Sequence, residues 1–371
     1  MIGEKGGGNA GTLIPPATPA MHRSSSSAAG HPVSGPRAVF GAATLQNIGK
    51  GDNENQDAYI HSASGTGSKA FIAVFDGHGE RGKRMSNFAR SALAKSLFSH
   101  QDLHADPKVA LEAAYKNTQA DIERLHGHEA HQSGTTAVAA YQHRDRLLVA
   151  NVGDSRAVLG RCDTARKNCL AVELTSDHKP SRPDERERVT KAGGIVDQMA
   201  FPVLHNGGVR WMRGGPERVM DRNGMGGLAM SRSLGDLALR PYVSSQPEIS
   251  ERRLDSRDKL LVLGTDGVWD HVSSQEAVDI AGRSCDPNAA AREIANIARQ
   301  RWNRETDGLM SDDITAVVVK LDCRTPPGSS ERSARSAARS VGAGSGIGMP
   351  SPASPLSPLS PLAPPNGRLT A

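Results

Sequence analysis

Four aspartates stand at the ends of apolar runs, too far apart along the chain for anything but folding to unite them. The run 71–75 ends in Asp76-Gly77-His78-Gly79, and the run 260–263 leads through Gly264-Thr265 to Asp266-Gly267. The run 147–152 leads through Gly153 to Asp154, while Asp312-Asp313 come before the run 314–319. One acid at a strand end is ordinarily a turn or cap residue. Four of them carry a second meaning, because clustered carboxylates repel one another unless a cation lies between them. Oxygen ligands without cysteine suit Mg²⁺ or Mn²⁺ better than zinc. His78 is the side chain there that trades protons near neutral pH. Gly77 has no side chain, so its carbonyl is free to approach an ion.

The elements that must position these residues are legible in outline. The run 71–75 mixes β-branched and aromatic residues and reads as a strand buried on both faces. A first strand is expected near Ala38-Val39-Phe40, and a polar turn over 49–57 feeds a short strand, Ala58-Tyr59-Ile60. Met85, Phe88, Ala89, Ala92, Leu93, Ser96 and Leu97 fall at helical spacing. Asp106-Pro107 reads as an N-cap with proline at the first helical position, opening a second helix that runs to about His126. His126, His128 and His131 have no acid or cysteine placed to help them bind metal, so they read as a polar helix end and loop. Short strands follow at 135–141, 146–152 and 156–159. A charged helix over 183–192 is stopped by Gly193-Gly194. The glycine-rich stretch 200–227 reads as an irregular surface flap, where substrate contacts often sit. A short helix or turn at 228–234 and helices at 274–281 and 287–302 complete the reading.

Composition sets the limits. The 371 residues suffice for one large domain or two small ones. Hydrophobic residues make up 37%, low for a wholly globular chain. Residues 1–37 are rich in Gly, Ala, Ser and Pro and read as a disordered leader; 324–371 read as a disordered tail, Arg/Ser-rich and then Ser-Pro-rich. The ordered domain is expected over 38–323. In the tail, Ser351-Pro352, Ser354-Pro355, Ser357-Pro358 and Ser360-Pro361 read as a spacer or as sites for proline-directed kinases. The formal net charge of +5 is mild, and much of it comes from Arg324, Arg332, Arg335 and Arg339 facing the single acid Glu331. Four cysteines (Cys162, Cys169, Cys285, Cys323) form no CxxC pair and are too few to staple a chain of this size. That pattern reads as reduced thiols in a reducing compartment, cytoplasm or nucleus. No segment approaches the length of a membrane span, the N-terminus lacks an apolar signal core, and glycine stands at position 3 rather than 2, off the myristoylation pattern.

Eight stretches together resemble the metal-dependent serine/threonine protein phosphatases of type 2C, in a plant-like or protist-like form. They are Asn55-Gln56-Asp57-Ala58, Val74-Phe75-Asp76-Gly77-His78-Gly79, Ser133-Gly134-Thr135-Thr136-Ala137 and Ala150-Asn151-Val152-Gly153-Asp154-Ser155-Arg156. Leu174-Thr175-Ser176-Asp177-His178-Lys179-Pro180, Leu228-Ala229-Met230-Ser231-Arg232-Ser233-Leu234-Gly235-Asp236, Gly264-Thr265-Asp266-Gly267-Val268-Trp269-Asp270 and Asp312-Asp313-Ile314-Thr315 follow in the same order as in the family.

The resemblance implies an α+β fold, a central β-sandwich of two mainly antiparallel sheets flanked by α-helices on both outer faces. It implies two Mg²⁺ or Mn²⁺ ions, with a third, weaker one in some relatives. Asp76 would bridge both ions, Asp266 and Asp312 would complete one site, and the Gly77 carbonyl would serve the other. Asp154 and Asp270, with Asp266, would hold the third. Two divalent ions about 4 Å apart lower the pKa of a water between them, position it and neutralise phosphate. Asp57 would orient the attacking water, and His78 would protonate the leaving serine or threonine oxygen. The sequence departs from the pattern twice. Gln56 replaces a glutamate before Asp57, giving a metal site an oxygen without a charge. Asp52 stands where many relatives carry a phosphate-clamping Arg or Lys, leaving Lys50 as the phosphate-binding candidate.

The expected activity is hydrolysis of phosphoserine and phosphothreonine in phosphorylated protein substrates, by a monomer that binds no nucleic acid. The alternative is a pseudophosphatase, the same fold used as a phosphoprotein-binding module. The presence of Asp76, Asp266 and Asp312 favours the enzyme. A two-metal nuclease has no support, since no basic stripe with interleaved aromatics runs beside the acids.

Overall fold

A computed structural model describes residues 37–50, 54–63, 69–163, 169–205 and 208–322. The expected leader, the expected tail and Asp52 lie outside these residues, apart from Arg37, which opens the first strand.

Two five-stranded antiparallel sheets make the centre. One has the order β1 (Arg37–Leu45), β16 (Ile314–Asp322), β15 (Asp258–Gly264), β8 (Arg156–Cys162), β9 (Cys169–Glu173). The other runs β14 (Glu248–Arg253), β7 (Arg146–Val152), β6 (Ala137–His143), β3 (Lys69–Phe75), β2 (Ala58–Ala63). Side chains alternate across each strand, so every central strand feeds two layers. Ile72 and Val74 of β3 meet Leu261 and Leu263 of β15 and Val317 and Val319 of β16 in the layer between the sheets. Phe71, Ala73 and Phe75 point the other way, onto α1 (Gly82–Phe98) and α2 (Pro107–His126). Leu260 and Val262 point outward beneath α5 (Ser274–Arg283) and α6 (Pro287–Glu305). The expected helix–sheet–sheet–helix sandwich is therefore what the chain forms.

Local signals explain the helix starts. Asp106 accepts from Val109 N at 3.2 Å ahead of Pro107, and Asp286 accepts from Asn288 N at 2.9 Å ahead of Pro287. The charged helix is α3 (Pro183–Lys191), and Asp266–Trp269 forms one short turn, α4.

Three readings are corrected. The stretch expected to be irregular is a long antiparallel ribbon, β10 (Ile195–His205) with β11 (Gly208–Met220), extended by β12 (Gly226–Leu228). Leu204, Val209 and Trp211 are all exposed on it, so neither face carries the alternation that announces a strand. At 228–234, expected as a short helix or turn, no helix forms: Leu228 ends β12, bends follow over 229–231, Leu234–Gly235 forms β13, and a single 3₁₀ turn comes later, at Leu237–Leu239. Cys162 and Cys169, expected as thiols, face each other across β8 and β9 and form a disulfide. They tie one hairpin rather than staple the chain, a local role that a count of cysteines does not reveal. Among the described residues, no helix is long and apolar enough to cross a membrane.

Candidate metal centre

The acids gather where one end of both sheets meets. β3 delivers Asp76, whose N–H donates to Thr136 Oγ1 at 3.0 Å while its C=O accepts from Thr136 N at 2.9 Å. Asp57 precedes β2, which pairs with β3 so that Ala58 lies opposite Phe75. Asp154 follows β7, at the point where the chain crosses to β8 in the other sheet. That other sheet supplies Asp266 after β15 and Asp312 before β16. The two are held in step by Thr265, whose N–H donates to Thr315 O at 3.1 Å and whose Oγ1 accepts from Thr315 N at 3.1 Å. Thr265 Oγ1 also reaches Asp57 Oδ2 at 3.1 Å and so sews the two sheets together at this end.

The convergence is visible in the electrostatics. Asp76 holds its proton well above the usual carboxylate range, first through burial and then through the charges of Asp57, Asp266, Asp312 and Asp154. Asp266 is raised likewise, by burial and then by Asp154 and Asp312, with Lys179 opposing. Burial also pushes Asp57 up to about 8, against the Thr315 and Thr265 hydrogen bonds and with Asp313 and Asp312 adding to the rise. Asp270 sits at the rim and is raised too, by desolvation first. Two cations reach in. Lys50 Nζ pairs with Asp312 Oδ1, and Lys179 Nζ lies 2.5 Å from Asp154 Oδ2 and 3.9 Å from Asp266 Oδ2.

These residues fit divalent cations. Asp57 Oδ1 and Asp154 Oδ1 are buried with no hydrogen-bond partner, although buried carboxylate oxygens are normally satisfied. The acids come from rigid strand ends, and their mutual repulsion is what a positive ion would relieve. At Gly77 a Cβ would stand 2.4 Å from Gly82 O, so only glycine lets this turn close beside Asp76.

His78 lies next to the acids on β4 (Gly77–His78), which pairs with β5 (Gly134–Thr135), which pairs in turn with β13. This small sheet brings in a residue that the strand-end pattern missed. Asp236 Oδ2 meets His78 Nε2 at 2.7 Å and accepts from Ser233 Oγ. Asp236 is 4% exposed and left-handed, with φ 48 and ψ 49. Burial alone would lower the His78 proton affinity; the Asp236 charge and hydrogen bond outweigh it and leave it raised. The signal was available in the quoted stretch ending Leu234-Gly235-Asp236, but only the fold shows which histidine it serves.

Gln56 is not brought into the acid cluster. Its Nε2 donates to Gly79 O at 3.1 Å and its Oε1 faces Gly82, so its amide supports the His78 turn. Asp313, neighbour to Asp312, clamps the entry loop by accepting from Asn47 N at 2.7 Å and from Gln56 N at 2.9 Å. Contrary to the expectation that no acid stands by the histidines, His126 meets Glu129 at 3.1 Å, and it sits edge-on to Phe88 rather than with the aspartates of the centre. Among the described residues, one trio of carboxylates has oxygens all within 4.8 Å of one another, and it lies elsewhere: Asp184, Glu185 and Glu248. Arg182, Arg188 and Arg232 neutralise that trio, with Arg232 2.7 Å and Arg188 2.9 Å from Glu185. The acids of the metal centre stand farther apart, with the two lysines among them.

Comparison with known proteins agrees with this architecture. A family profile described as "Protein phosphatase 2C" matches residues 44–306, a span that ends just short of Asp312. "Probable protein phosphatase 2C 61" of Arabidopsis thaliana is 34% identical over 290 residues, 76% of this chain and 86% of that one. "Probable protein phosphatase 2C 45" of Oryza sativa subsp. japonica is 37% identical over 250 residues, 67% of this chain and 76% of that one. The crystal structure of a serine-threonine phosphatase 2C from Toxoplasma gondii shares the fold, with TM-score 0.60 and 24% identity over 77% of this chain and 97% of that one.

Proposed function

Because this chain belongs to the protein phosphatase 2C family, and is thereby a protein serine/threonine phosphatase, we propose that the Asp57–Asp76–Asp266–Asp312 centre is where it hydrolyses phosphoserine and phosphothreonine. The observation that carries this reading is the convergence of acids from both sheets at one end of the sandwich, where Thr265 Oγ1 joins Asp57 to the Asp266 side and Lys179 lies between Asp154 and Asp266. Asp76, Asp266, Asp312 and the Gly77 carbonyl would hold the divalent ions, two Mg²⁺ or Mn²⁺ in this reading. Divalent ions held there supply Lewis acidity, making water nucleophilic at neutral pH and screening the phosphate charge.

The remaining work falls to the chain's own groups. Asp57 has one oxygen fixed by Thr265 and the other without a partner, so it is set to accept a hydrogen bond from the attacking water. Attack in line with the leaving oxygen needs no covalent phosphoenzyme. His78, oriented by Asp236, gives a proton to the serine or threonine oxygen as it leaves. Lys50 sits on the Asp312 side of the centre and attracts the incoming phosphate.

The deciding experiment is hydrolysis of a phosphothreonine peptide by the full chain in EDTA, then with Mn²⁺ restored. Turnover should vanish in chelator and return with Mn²⁺, and should be absent in Asp76→Asn. Activity that persists in EDTA, or in that variant, defeats the reading.

A further inference from the structure

We propose that Arg240 is a positioning residue for the leaving-group proton: its guanidinium clamps the backbone on either side of Leu234 and so fixes the Asp236 carboxylate that orients His78. The proposal rests on reading His78 as the proton donor.

Asp236 stands on backbone that has to be held. Gly235 has φ 92 and Asp236 φ 48, two successive residues in the left-handed region. The first is a glycine and adopts this freely. At a non-glycine residue such a conformation persists only where its surroundings enforce it. The ladder between β13 and β5 covers just Leu234 and Gly235, and Asp236 N donates to Ser133 O at 3.0 Å. The rest of the restraint comes from side chains.

Arg240 supplies it. The chain passes the 3₁₀ turn at Leu237–Leu239, and the guanidinium then reaches back over the stretch before it. Nη2 donates to Ser233 O at 3.0 Å and to Gly235 O at 2.9 Å. Nη1 donates to Val243 O at 2.8 Å, while Ser233 N donates to Ser244 O at 3.0 Å, so one side chain ties the turn to the segment that follows. From α2, Gln119 Oε1 accepts from Arg240 Nη2 at 3.1 Å and from Gly235 N at 2.9 Å. Ser233, held by its carbonyl, donates its Oγ to Asp236 Oδ2, the same oxygen that meets His78 Nε2 at 2.7 Å. Burial works against the Arg240 charge first and Arg188 adds to that, with Asp236 and Glu123 opposing. The planar fork of arginine suits a set of carbonyls spread around it, whereas lysine offers a single nitrogen. A misplacement of about 1 Å at a reacting group can cost on the order of 10²-fold in rate.

The test is steady-state turnover of a phosphoserine peptide and of p-nitrophenyl phosphate by the full chain in saturating Mn²⁺. Arg240→Met keeps the stem and removes the clamp. Its kcat for the phosphopeptide should fall at least tenfold further than its kcat for p-nitrophenyl phosphate, with KM within twofold of wild type, because the aryl leaving group needs no proton. Arg240→Lys should fall between wild type and Arg240→Met. Added to Asp236→Asn, Arg240→Met should slow the phosphopeptide less than threefold, since the group it serves is already gone. A variant that merely unfolds loses both substrates in step, which the milder Arg240→Lys avoids. Equal slowing of the two substrates in both Arg240 variants overturns the proposal, and so does a full tenfold loss on top of Asp236→Asn. A His78→Gln that itself slows both substrates equally defeats the proton-donor reading and the proposal with it; a His78→Gln that discriminates beside Arg240 variants that do not defeats the proposal alone.

Discussion

Glu185 is the place to test how the loop carrying Lys179 and the stretch leading to Asp236 are anchored. Its carboxylate is 1% exposed and is shared by Arg188 at 2.9 Å, Arg232 at 2.7 Å and Ser231 Oγ at 2.5 Å. Burial would raise its proton affinity, but the hydrogen bonds of Arg232, Arg188 and Ser231 prevail and hold it far below the ordinary carboxylate range. Glu185→Gln keeps the shape and removes the charge, leaving two arginines facing a neutral amide. Breaking one side of a buried ion pair costs about 3–5 kcal/mol. Arg188 retains some contact with water, so the lower end, about 3 kcal/mol, is the expected loss. For a domain this large that is about 6 °C in Tm.

The pH dependence gives a second readout. A carboxylate whose folded pKa is depressed contributes stability above its unfolded pKa of about 4.3, and that contribution fades as pH falls through the window below. The gap between wild type and variant should therefore be constant from pH 8 to 5 and close by roughly 1.8 kcal/mol by pH 3, at 1.36 kcal/mol per pH unit. Urea unfolding in EDTA at a series of pH values measures both. A gap under 1 kcal/mol at pH 7, or one unchanged at pH 3, refutes the anchoring argument.

Asp266→Asn should lose Mn²⁺-dependent turnover yet melt no lower than wild type in EDTA, since it removes a repelling charge; a thermal melt beside a phosphopeptide assay checks both halves. His78→Gln and Asp236→Asn should slow phosphoserine hydrolysis at least tenfold while leaving p-nitrophenyl phosphate nearly untouched, because only the poor leaving group needs the proton. Equal slowing of the two substrates excludes the proton-donor role. Tyr115 is fully buried, with its hydroxyl 3.1 Å from Ala137 O and 3.0 Å from Ala150 O. Tyr115→Phe should cost about 1 kcal/mol in urea. Burial keeps Tyr115 neutral in the fold, so wild-type stability is full below about pH 10 and falls above it as the unfolded chain ionises. The variant should show a shallower alkaline decline, and identical declines would refute this.

What the sequence disclosed and what it hid follow from burial. β3, β15 and β16 were legible because they are buried on both faces and read as unbroken apolar runs. α2 was legible because Asp106-Pro107 is a local signal. The ribbon of β10 and β11 was hidden because Phe201, Leu204 and Trp211 are exposed, so no periodicity was imposed on it. β14 reads Glu-Ile-Ser-Glu-Arg-Arg and looks like a loop, yet it is the edge of a sheet, where charge is tolerated. At the site, the acids were legible as strand ends. Their partners were not: Asp236 finds His78, Gln56 finds Gly79 and Lys179 finds Asp154 only across the fold.

Asp57, Asp76 and Asp154 ride on one sheet, Asp266 and Asp312 on the other. The centre thus works as a vernier on the seating of two stacked slabs. A sideways slip too small to expose any core residue would still change the gaps between the acids. Cation affinity should therefore register trimming of Leu263 or Val74, between the slabs, before any loss of fold becomes measurable.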